Sequence, residues 1–141
     1  MENVVLVDEN NSPIGIENKL KVHKLGLLHR AFSILIYNSK KELLLQRRSE
    51  WKYHTPNLWT NACCSHPHVD ETYEDAICRR LEEEMGLNCV LDKQFSFIYK
   101  AKLDSDMIEY EHDTVFIGQT DDNPRVDSNE VRDYRYIDYQ S

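Results

Sequence analysis

No apolar run in this sequence approaches the roughly 18 residues that a membrane-spanning helix requires. The first ten residues, MENVVLVDEN, also lack the basic region and apolar core of a secretory signal. Basic residues are outnumbered, since 17 Lys and Arg against 25 Asp and Glu give a formal net charge of −8. This charge argues against nucleic acid or acidic lipid as a general partner, so any basic residues that bind a ligand must be gathered locally.

Cysteine is scarce as well. The chain has four cysteines, two of them adjacent, which does not make a disulfide framework and indicates a reducing compartment, so we expect a cytoplasmic location. Repeats, low-complexity tracts and linker-like segments are also missing from the 141 residues. We therefore expect one domain over 1–141 with a core of its own.

Apolar stretches predict six strands and a mostly β chain. They lie at 4–7 (VVLV), 31–37 (AFSILIY), 42–46 (ELLLQ), 95–102 (FSFIYKAK), 110–118 (YEHDTVFIG) and 134–139 (YRYIDY). The polar stretch NSKKE between the second and third strands predicts a hairpin turn. Because only one segment is strongly helical, the pattern favours the α+β class, with a mixed sheet sandwich and a central helix.

That helix is predicted over 70–86, DETYEDAICRRLEEEMG. Asp70 or Thr72 can cap its start, acidic residues fill its first turn, and Gly86 ends it. At about 100° per residue, Arg80 and Glu84 fall inside the apolar arc of the helix, at the i, i+4 spacing that allows pairing. A buried salt bridge is one interpretation, but buried ions are costly. We favour the other, in which both residues face a polar ligand site.

Candidate metal ligands come from three parts of the chain. His23 and His29 flank KLGLL, and His66 lies in CCSHP. Glu109 and Glu111 are two apart in a predicted strand, so both side chains point to one face. Three imidazoles and two carboxylates suit Zn, Mn or Mg, whereas a structural zinc site would use thiolates at CxxC spacing. Spacing alone leaves both a metal site and ordinary surface or core histidines open.

Four motifs in this order, GLLHRAF, TNACCSHP, RRLEEEMG and EYEHD, resemble those of the type I isopentenyl-diphosphate isomerases, which belong to the Nudix superfamily. The resemblance implies a Nudix-like mixed sheet with a central catalytic helix. Aligned on the generic Nudix pattern, the chain has Glu71 and Arg79 at the expected positions. It departs at Ser65, where the pattern has Gly, and at Arg80, where it has a metal-binding Glu. The second departure speaks against hydrolysis and matches the isomerase branch.

The resemblance also implies a role for each matching residue. The expected ligands of one divalent metal, Zn, Mn or Mg, are His23, His29, His66, Glu109 and Glu111. The expected ligand of a second Mg, which arrives with the diphosphate, is Glu84. The expected cations for the two phosphates are Lys19, Arg48, Lys52 and Arg80. The expected catalytic residues are Cys64, Glu111 and Tyr99.

The implied reaction moves a double bond in an unactivated alkene, from isopentenyl to dimethylallyl diphosphate. It needs one proton added and another removed, which suits two acid–base groups on opposite sides of the substrate. We favour Glu111, with Tyr99, as the group that protonates the alkene and Cys64 as the base, and the reverse assignment stays open. We expect nearby cations and metal to lower the pKa of Cys64. Trp59 is a candidate pocket wall or a core residue.

Two further expectations remain. Family members continue with helices that carry a pocket-lining tryptophan, so the resemblance implies that this chain, which ends at Ser141, lacks them; the activity of the chain therefore stays open. Rival interpretations are a Nudix diphosphohydrolase acting on a nucleoside diphosphate derivative, and a metal-stabilised binding module built on the CCxH stretch.

Overall fold

The structure is a computed structural model that describes residues 3–51, 57–103 and 106–138. Within these ranges the chain forms nine strands and two helices. The strands are β1 (Asn3–Val7), β2 (Pro13–Asn18), β3 (His29–Tyr37), β4 (Glu42–Arg48), β5 (Trp59–Asn61), β6 (Cys63–Ser65), β7 (Leu91–Lys102), β8 (Ile108–Gln119) and β9 (Val131–Asp138). The helices are α1 (Lys19–Leu25) and α2 (Tyr73–Met85).

Strand β3 is the centre of the sheet. It pairs in parallel with β8 along its whole length, in a register that sets His29 against Glu111. It also pairs antiparallel with the short β6, where Ser33 is the partner of Cys64. The pairing of β8 with β7 extends this part of the sheet by a long antiparallel ladder. Residues from distant parts of the sequence therefore meet along β3.

The remaining strands are attached through β1 and β4. Strand β1 pairs with β2 along its length and touches β3 at its start, while β4 pairs with β5 and β9. A tight turn joins β3 to β4, in which the side chain of Asn38 accepts hydrogen bonds from the backbone amides of Lys40 and Glu42. The hairpin turn predicted at NSKKE is therefore confirmed.

Helix α2 has well-defined ends and one buried face. The side chain of Thr72 accepts from the backbone amide of Asp75, and Gly86 ends the helix with φ +64°. Full burial of one large aliphatic side chain contributes about 1.5–3 kcal/mol, so this face holds the helix on the sheet. The core residues from α2 and the strands it covers are Ala76, Ile77, Leu81, Met85, Phe32, Ile34, Ile36, Leu44 and Phe116.

The predicted α+β class, the helix and the six strands are confirmed, with strand ends that extend beyond the apolar stretches. Thr72, and not Asp70, is the helix cap. Tyr139, the predicted end of the last strand, lies outside the described residues.

Four elements were not predicted. The strand β2 begins with Pro13 and contains Gly15, α1 has only seven residues, and β5 and β6 have three residues each. Such short elements carry too little hydrophobic periodicity to be predicted from the sequence. Pairing and packing with neighbouring elements stabilise them in the fold. In the described part of the chain, the longest helix has 13 residues, and none is long and apolar enough to cross a membrane.

Replacing Gly86 by Ala should destabilise the fold by about 2 kcal/mol or more, because the left-handed conformation is costly for a residue with a Cβ. The added Cβ would also lie 2.6 Å from the carbonyl oxygen of Arg125. Urea denaturation measures the change. The matched control is Gly15→Ala, whose Cβ would lie 3.5 Å from Leu6 and needs no rearrangement. Equal stabilities of the two variants would contradict this account.

Candidate active site

A cavity of about 470 Å³ opens along β3, between the strands that pair with its two edges. Its apolar lining residues are Leu58, Trp59, Phe97 and Leu103. Its polar and charged lining residues are Ser33, Arg48, Thr60, Asn61, Cys64, Ser65, His66, Tyr99, Glu109, Glu111 and Asp113. The cavity therefore combines an apolar wall with a thiol, an imidazole and three carboxylates.

Four of the expected metal ligands form a cluster at this cavity. Ligand atoms of His23, His29, His66 and Glu111 all lie within 4.8 Å of one another. The ring centroids of His29 and His66 are 4.8 Å apart, and His23 lies edge-on to both. His23 and His29 are fully buried. Buried imidazoles and a carboxylate that converge in this way are suited to a divalent metal.

Hydrogen bonds to the backbone set the tautomers of two of these histidines. His23 donates from Nδ1 to the carbonyl of Lys19 at 2.8 Å, and His29 donates from Nδ1 to the carbonyl of Leu27 at 2.9 Å. Both rings therefore present the lone pair of Nε2. The Nε2 of His29 lies 3.1 Å from the Nε2 of His66 and 3.5 Å from a carboxylate oxygen of Glu111. This backbone support of the outer nitrogen is typical of histidines that bind metal, so the residues fit such an ion.

The pKa shifts of the cluster favour the protonation states that a metal needs. Burial lowers the pKa of His66 to about 3, although its hydrogen bond with Glu111 opposes the change. Burial also lowers the pKa of His23. For Glu111, burial favours the neutral acid, but the imidazoles of His29 and His66 beside the carboxylate outweigh burial and lower its pKa. Neutral imidazoles and an ionised carboxylate are the forms that coordinate metal ions.

Glu109 stands beside the cluster and not within it. Its carboxylate accepts a short hydrogen bond from the hydroxyl of Tyr99. Burial, with the charge of Glu111, raises the pKa of Glu109 to about 7. Tyr99 is the register partner of Glu111 across β7 and β8, yet its hydroxyl bonds to Glu109. The expected roles of Glu109 as a metal ligand and of Tyr99 as a catalytic residue stay predictions.

The Cys64 thiol lies in the same cavity, among oxygen atoms. Its Sγ is 2.5 Å from Oδ1 of Asn61, 3.7 Å from Oγ1 of Thr60 and 3.8 Å from Oγ of Ser33. Burial raises the pKa of Cys64 to about 12, and the charge of Asp113 adds to the effect. The groups facing the sulfur are hydroxyls, an amide oxygen and carboxylates, and not cations, so the expected lowering of the pKa of Cys64 would have to come from a bound metal and stays a prediction.

The expected phosphate-binding cations are only partly at the cavity. Arg48 lines it, whereas the neighbouring Arg47 donates to the carbonyl of Asn57 at 2.9 Å, as strand alternation requires. Lys19 begins α1, and its charge contributes to the lowered pKa of His66. Lys52 lies outside the described residues.

Arg80 and Glu84 form a buried ion pair behind the cavity wall. Arg80 donates to Glu84 at 2.9 Å, to Glu130 at 3.3 Å and to the hydroxyl of Ser65 at 3.1 Å. The second carboxylate oxygen of Glu84 accepts from Gln46 at 3.3 Å. Neither Arg80 nor Glu84 is among the described lining residues, although Ser65 is. Their expected contacts, with phosphate and with the second Mg, stay predictions.

The other matched positions of the Nudix pattern pair with each other. Arg79 donates to both carboxylate oxygens of Glu71, at 2.8 and 2.9 Å, and to Glu83 at 2.7 Å. The hydrogen bond from Arg79 lowers the pKa of Glu71 to about 2. This two-point contact ties helix α2 to the segment that precedes it.

Sequence reasoning missed several lining residues, of which Ser33, Asn61 and Asp113 lie near the thiol or the carboxylates. Asp113 follows Glu109 and Glu111 at the same two-residue spacing, so strand alternation could have placed it on the same face. Asn61 stands in the TNACCSHP motif, three residues before Cys64. Ser33 has no signal in the sequence, because only the pairing of β3 with β6 brings it to the thiol.

Comparisons with known proteins agree with this geometry. Residues 27–141 match the model of the NUDIX domain. The chain is 52% identical over 136 residues to isopentenyl-diphosphate Delta-isomerase 2 of Photorhabdus laumondii, covering 96% of this chain and 77% of that protein. It is 49% identical over 133 residues to isopentenyl-diphosphate Delta-isomerase of Pectobacterium atrosepticum, covering 94% of this chain and 74% of that protein.

Solved structures show the same fold at lower identity. The crystal structure of DR0079 from Deinococcus radiodurans has a TM-score of 0.79 at 20% identity, covering 96% of this chain and 83% of that chain. The MutT protein of Methanosarcina mazei has a TM-score of 0.67 at 22% identity, covering 78% of this chain and 76% of that chain.

The sheet, the helix and the pairing of Glu71 with Arg79 therefore define a Nudix domain. Within that class, the matches over nearly the whole chain show a narrower relationship. The chain belongs to the isopentenyl-diphosphate Delta-isomerase family.

Replacing His66 by Ala should weaken the binding of a divalent metal at least tenfold, because the cluster loses one nitrogen ligand. Titration with Zn, Mn and Mg, with metal content measured by mass spectrometry, checks this result. The matched control is His68→Ala, an exposed histidine two residues away that should bind metal as the parent does. Equal metal content in His66→Ala and the parent would count against the site.

Replacing Asp113 by Asn should stabilise the metal-free protein more at pH 8 than at pH 4. Burial, with the charge of Glu111, raises the pKa of Asp113 to about 7 from an ordinary value of 3.8. The carboxyl therefore contributes stability below about pH 4 and loses that contribution as the pH rises through 7. Urea denaturation with a chelator at several pH values measures the difference between variant and parent. If the difference in unfolding free energy between Asp113→Asn and the parent does not vary with pH, the pKa of Asp113 is not raised.

Proposed function

We propose that this chain interconverts isopentenyl and dimethylallyl diphosphate by moving a carbon–carbon double bond, as a step of isoprenoid biosynthesis. One observation carries the proposal. The thiol of Cys64 and the carboxylate of Glu111 line one cavity, although they come from strands on opposite edges of β3. Two acid–base groups on either side of a small substrate are what a double-bond shift needs.

The reaction adds a proton to the terminal alkene carbon and removes one from the carbon on the far side of the branch point. The intermediate is a tertiary carbocation or a species close to it, which water would capture as an alcohol. The apolar wall, which includes Trp59 and Phe97, supports exclusion of water, and aromatic faces stabilise such a cation by roughly 0.5–2 kcal/mol.

We propose Glu111, with Tyr99 and Glu109 beside it, as the group that protonates the alkene, and Cys64 as the group that accepts the second proton. The raised pKa of Cys64 and the lowered pKa of Glu111 both weigh for the reverse assignment, because they leave the proton on the thiol and not on the carboxylate. Deuterium oxide distinguishes the two in the variant Cys64→Ala. If Cys64 is the base, the variant should incorporate deuterium at the terminal alkene carbon of unreacted isopentenyl diphosphate. If Cys64 is the acid, the variant should instead incorporate deuterium into unreacted dimethylallyl diphosphate, at the carbon on the far side of the branch point.

A divalent metal, Zn, Mn or Mg, would be held by the three histidines and Glu111, with Glu109 as a further ligand. When bound, it would place a positive charge beside the Glu111 carboxylate. The chain's own part is to hold Glu111 ionised between His29 and His66.

The diphosphate would bind at Arg48, the one cationic side chain among the described lining residues. Lys19, Lys52 and Arg80 are proposed as its further partners. The proposed second Mg, with Glu84 as its ligand, would arrive with the substrate, at a carboxylate that Arg80 contacts through one oxygen. A fork-shaped guanidinium such as Arg48 suits two-point contact with phosphate oxygens.

Hydrolysis is less well supported. Arg80 stands where the generic Nudix pattern has a glutamate, and it donates a hydrogen bond to one carboxylate oxygen of Glu84. Incubation with isopentenyl diphosphate should give rearranged diphosphate and no released phosphate, and phosphate release would favour a hydrolase.

We also propose that residues 1–141 act as one domain in the cytoplasm. All four cysteines are free, which suits a reducing compartment.

Replacing Cys64 by Ala should lower kcat at least 100-fold and leave metal content and folding unchanged, because one acid–base group is lost while the metal cluster stays intact. Conversion of isopentenyl diphosphate measures activity, and mass spectrometry measures metal content. The control is Cys78→Ala, which removes an exposed thiol. If Cys64→Ala unfolds or loses metal, the binding-module interpretation gains support. If it keeps full activity, the thiol is not catalytic.

A further inference from the structure

Ser33 lies where the two sides of the cavity meet. Strand β3 carries it, and in the sheet it lies between β6, which carries Cys64, and β8, which carries Asp113. Its hydroxyl donates to Oδ2 of Asp113 at 2.9 Å and lies 3.8 Å from the sulfur of Cys64. Ser33 therefore links the thiol to a carboxylate on the opposite strand.

Asp113 is an unusual residue for this position. It is only 4% exposed, and its Oδ1 has no hydrogen-bond partner among the described residues. Burial of a carboxylate with an unmatched oxygen costs free energy, so packing alone does not account for it. Its one described hydrogen bond is the one it accepts from Ser33.

The direction of these hydrogen bonds restricts the thiol. Ser33 has one hydroxyl hydrogen, and it donates that hydrogen to Asp113. While it makes this bond with the ionised carboxylate, it presents lone pairs to Cys64. On its other side, the thiol donates to Oδ1 of Asn61 at 2.5 Å. With Oγ1 of Thr60 at 3.7 Å, the sulfur has three oxygen neighbours, and Asp113 fixes the orientation of one of them, the Ser33 hydroxyl.

We propose that Ser33, oriented by Asp113, is a positioning residue for the Cys64 thiol. The inference rests on the proposed isomerase function and adds two residues that act through the thiol and not on the substrate. Its physical basis is that a displacement of about 1 Å in a reacting group can cost about 100-fold in rate. Without the Ser33 hydroxyl, the sulfur gains space and loses one of its three described oxygen contacts.

The variant Ser33→Ala tests the proposal. We expect kcat to fall at least tenfold, with KM and metal content within twofold of the parent, because the reacting group is misplaced while the binding groups stay intact. Ser33→Thr keeps the hydroxyl and should recover kcat to within threefold of the parent. Ser96→Ala is the matched control, since that hydroxyl also bonds to β8, at 3.1 Å from Oγ1 of Thr114, but does not line the cavity.

Two substitutions of Asp113 separate orientation from charge. Asp113→Asn keeps an oxygen that can accept from Ser33, so it should retain more kcat than Asp113→Ala. Equal losses in the two variants would mean that the carboxylate acts by its charge, and this result would overturn the positioning role. Loss of metal in step with kcat in Ser33→Ala would overturn it too, because it would show a structural role.

Alkylation of Cys64 by iodoacetamide at one pH gives a readout that is independent of activity. Mass spectrometry of each cysteine peptide should show alkylation at least threefold faster in Ser33→Ala than in the parent or Ser33→Thr, with the exposed Cys78 as internal reference. An unchanged rate would overturn the proposal. If the parent does not isomerise the substrate but the rate increases as expected, the proposed function fails while the positioning role stands.

Discussion

The parallel pairing of β3 with β8 is the constraint on which the rest of the site depends. Its register sets His29 against Glu111 and brings the carboxylate between His29 and His66. A slip by one residue would turn Glu111 to the opposite face, since successive side chains in a strand alternate. The same slip would remove Asp113 from the cavity. Burial of Phe32, Ile34 and Ile36 in β3 holds this register, so the apolar core specifies the polar site.

Burial has opposite consequences for the groups gathered in this way. It lowers the pKa of His66, and it raises the pKa values of Cys64 and Asp113, because in each case the charged form is disfavoured. Glu111 differs, since the two histidines beside its carboxylate outweigh burial and lower its pKa. The cavity therefore contains protonated and deprotonated groups side by side. Such separation of pKa values is a recurrent property of acid–base sites.

The fold alone does not determine this chemistry. Proteins with 20–22% identity share this fold, and in this chain Glu71 and Arg79, two positions of the generic Nudix pattern, pair with each other. Single residues, and not the fold, give this chain its particular site. Arg80 pairs with Glu84 behind the cavity wall. Cys64 and His66, which belongs to the histidine cluster, line the cavity. The four clustered residues that could hold a metal come from β3, β8, α1 and the residue that follows β6.

The sequence by itself determined the six longer strands, the helix over most of 70–86, the family, and the three histidines that converge with Glu111, because periodicity and motifs are properties of neighbouring residues. It also indicated that Arg80 and Glu84 face inward, but not whether they meet a ligand or each other. Only the tertiary structure decided that they pair, that the pKa of Cys64 is raised, and that Ser33 and Asp113 stand behind the thiol. These properties arise from contacts across strands and from exclusion of water, which depend on register and burial and leave no local pattern in the chain.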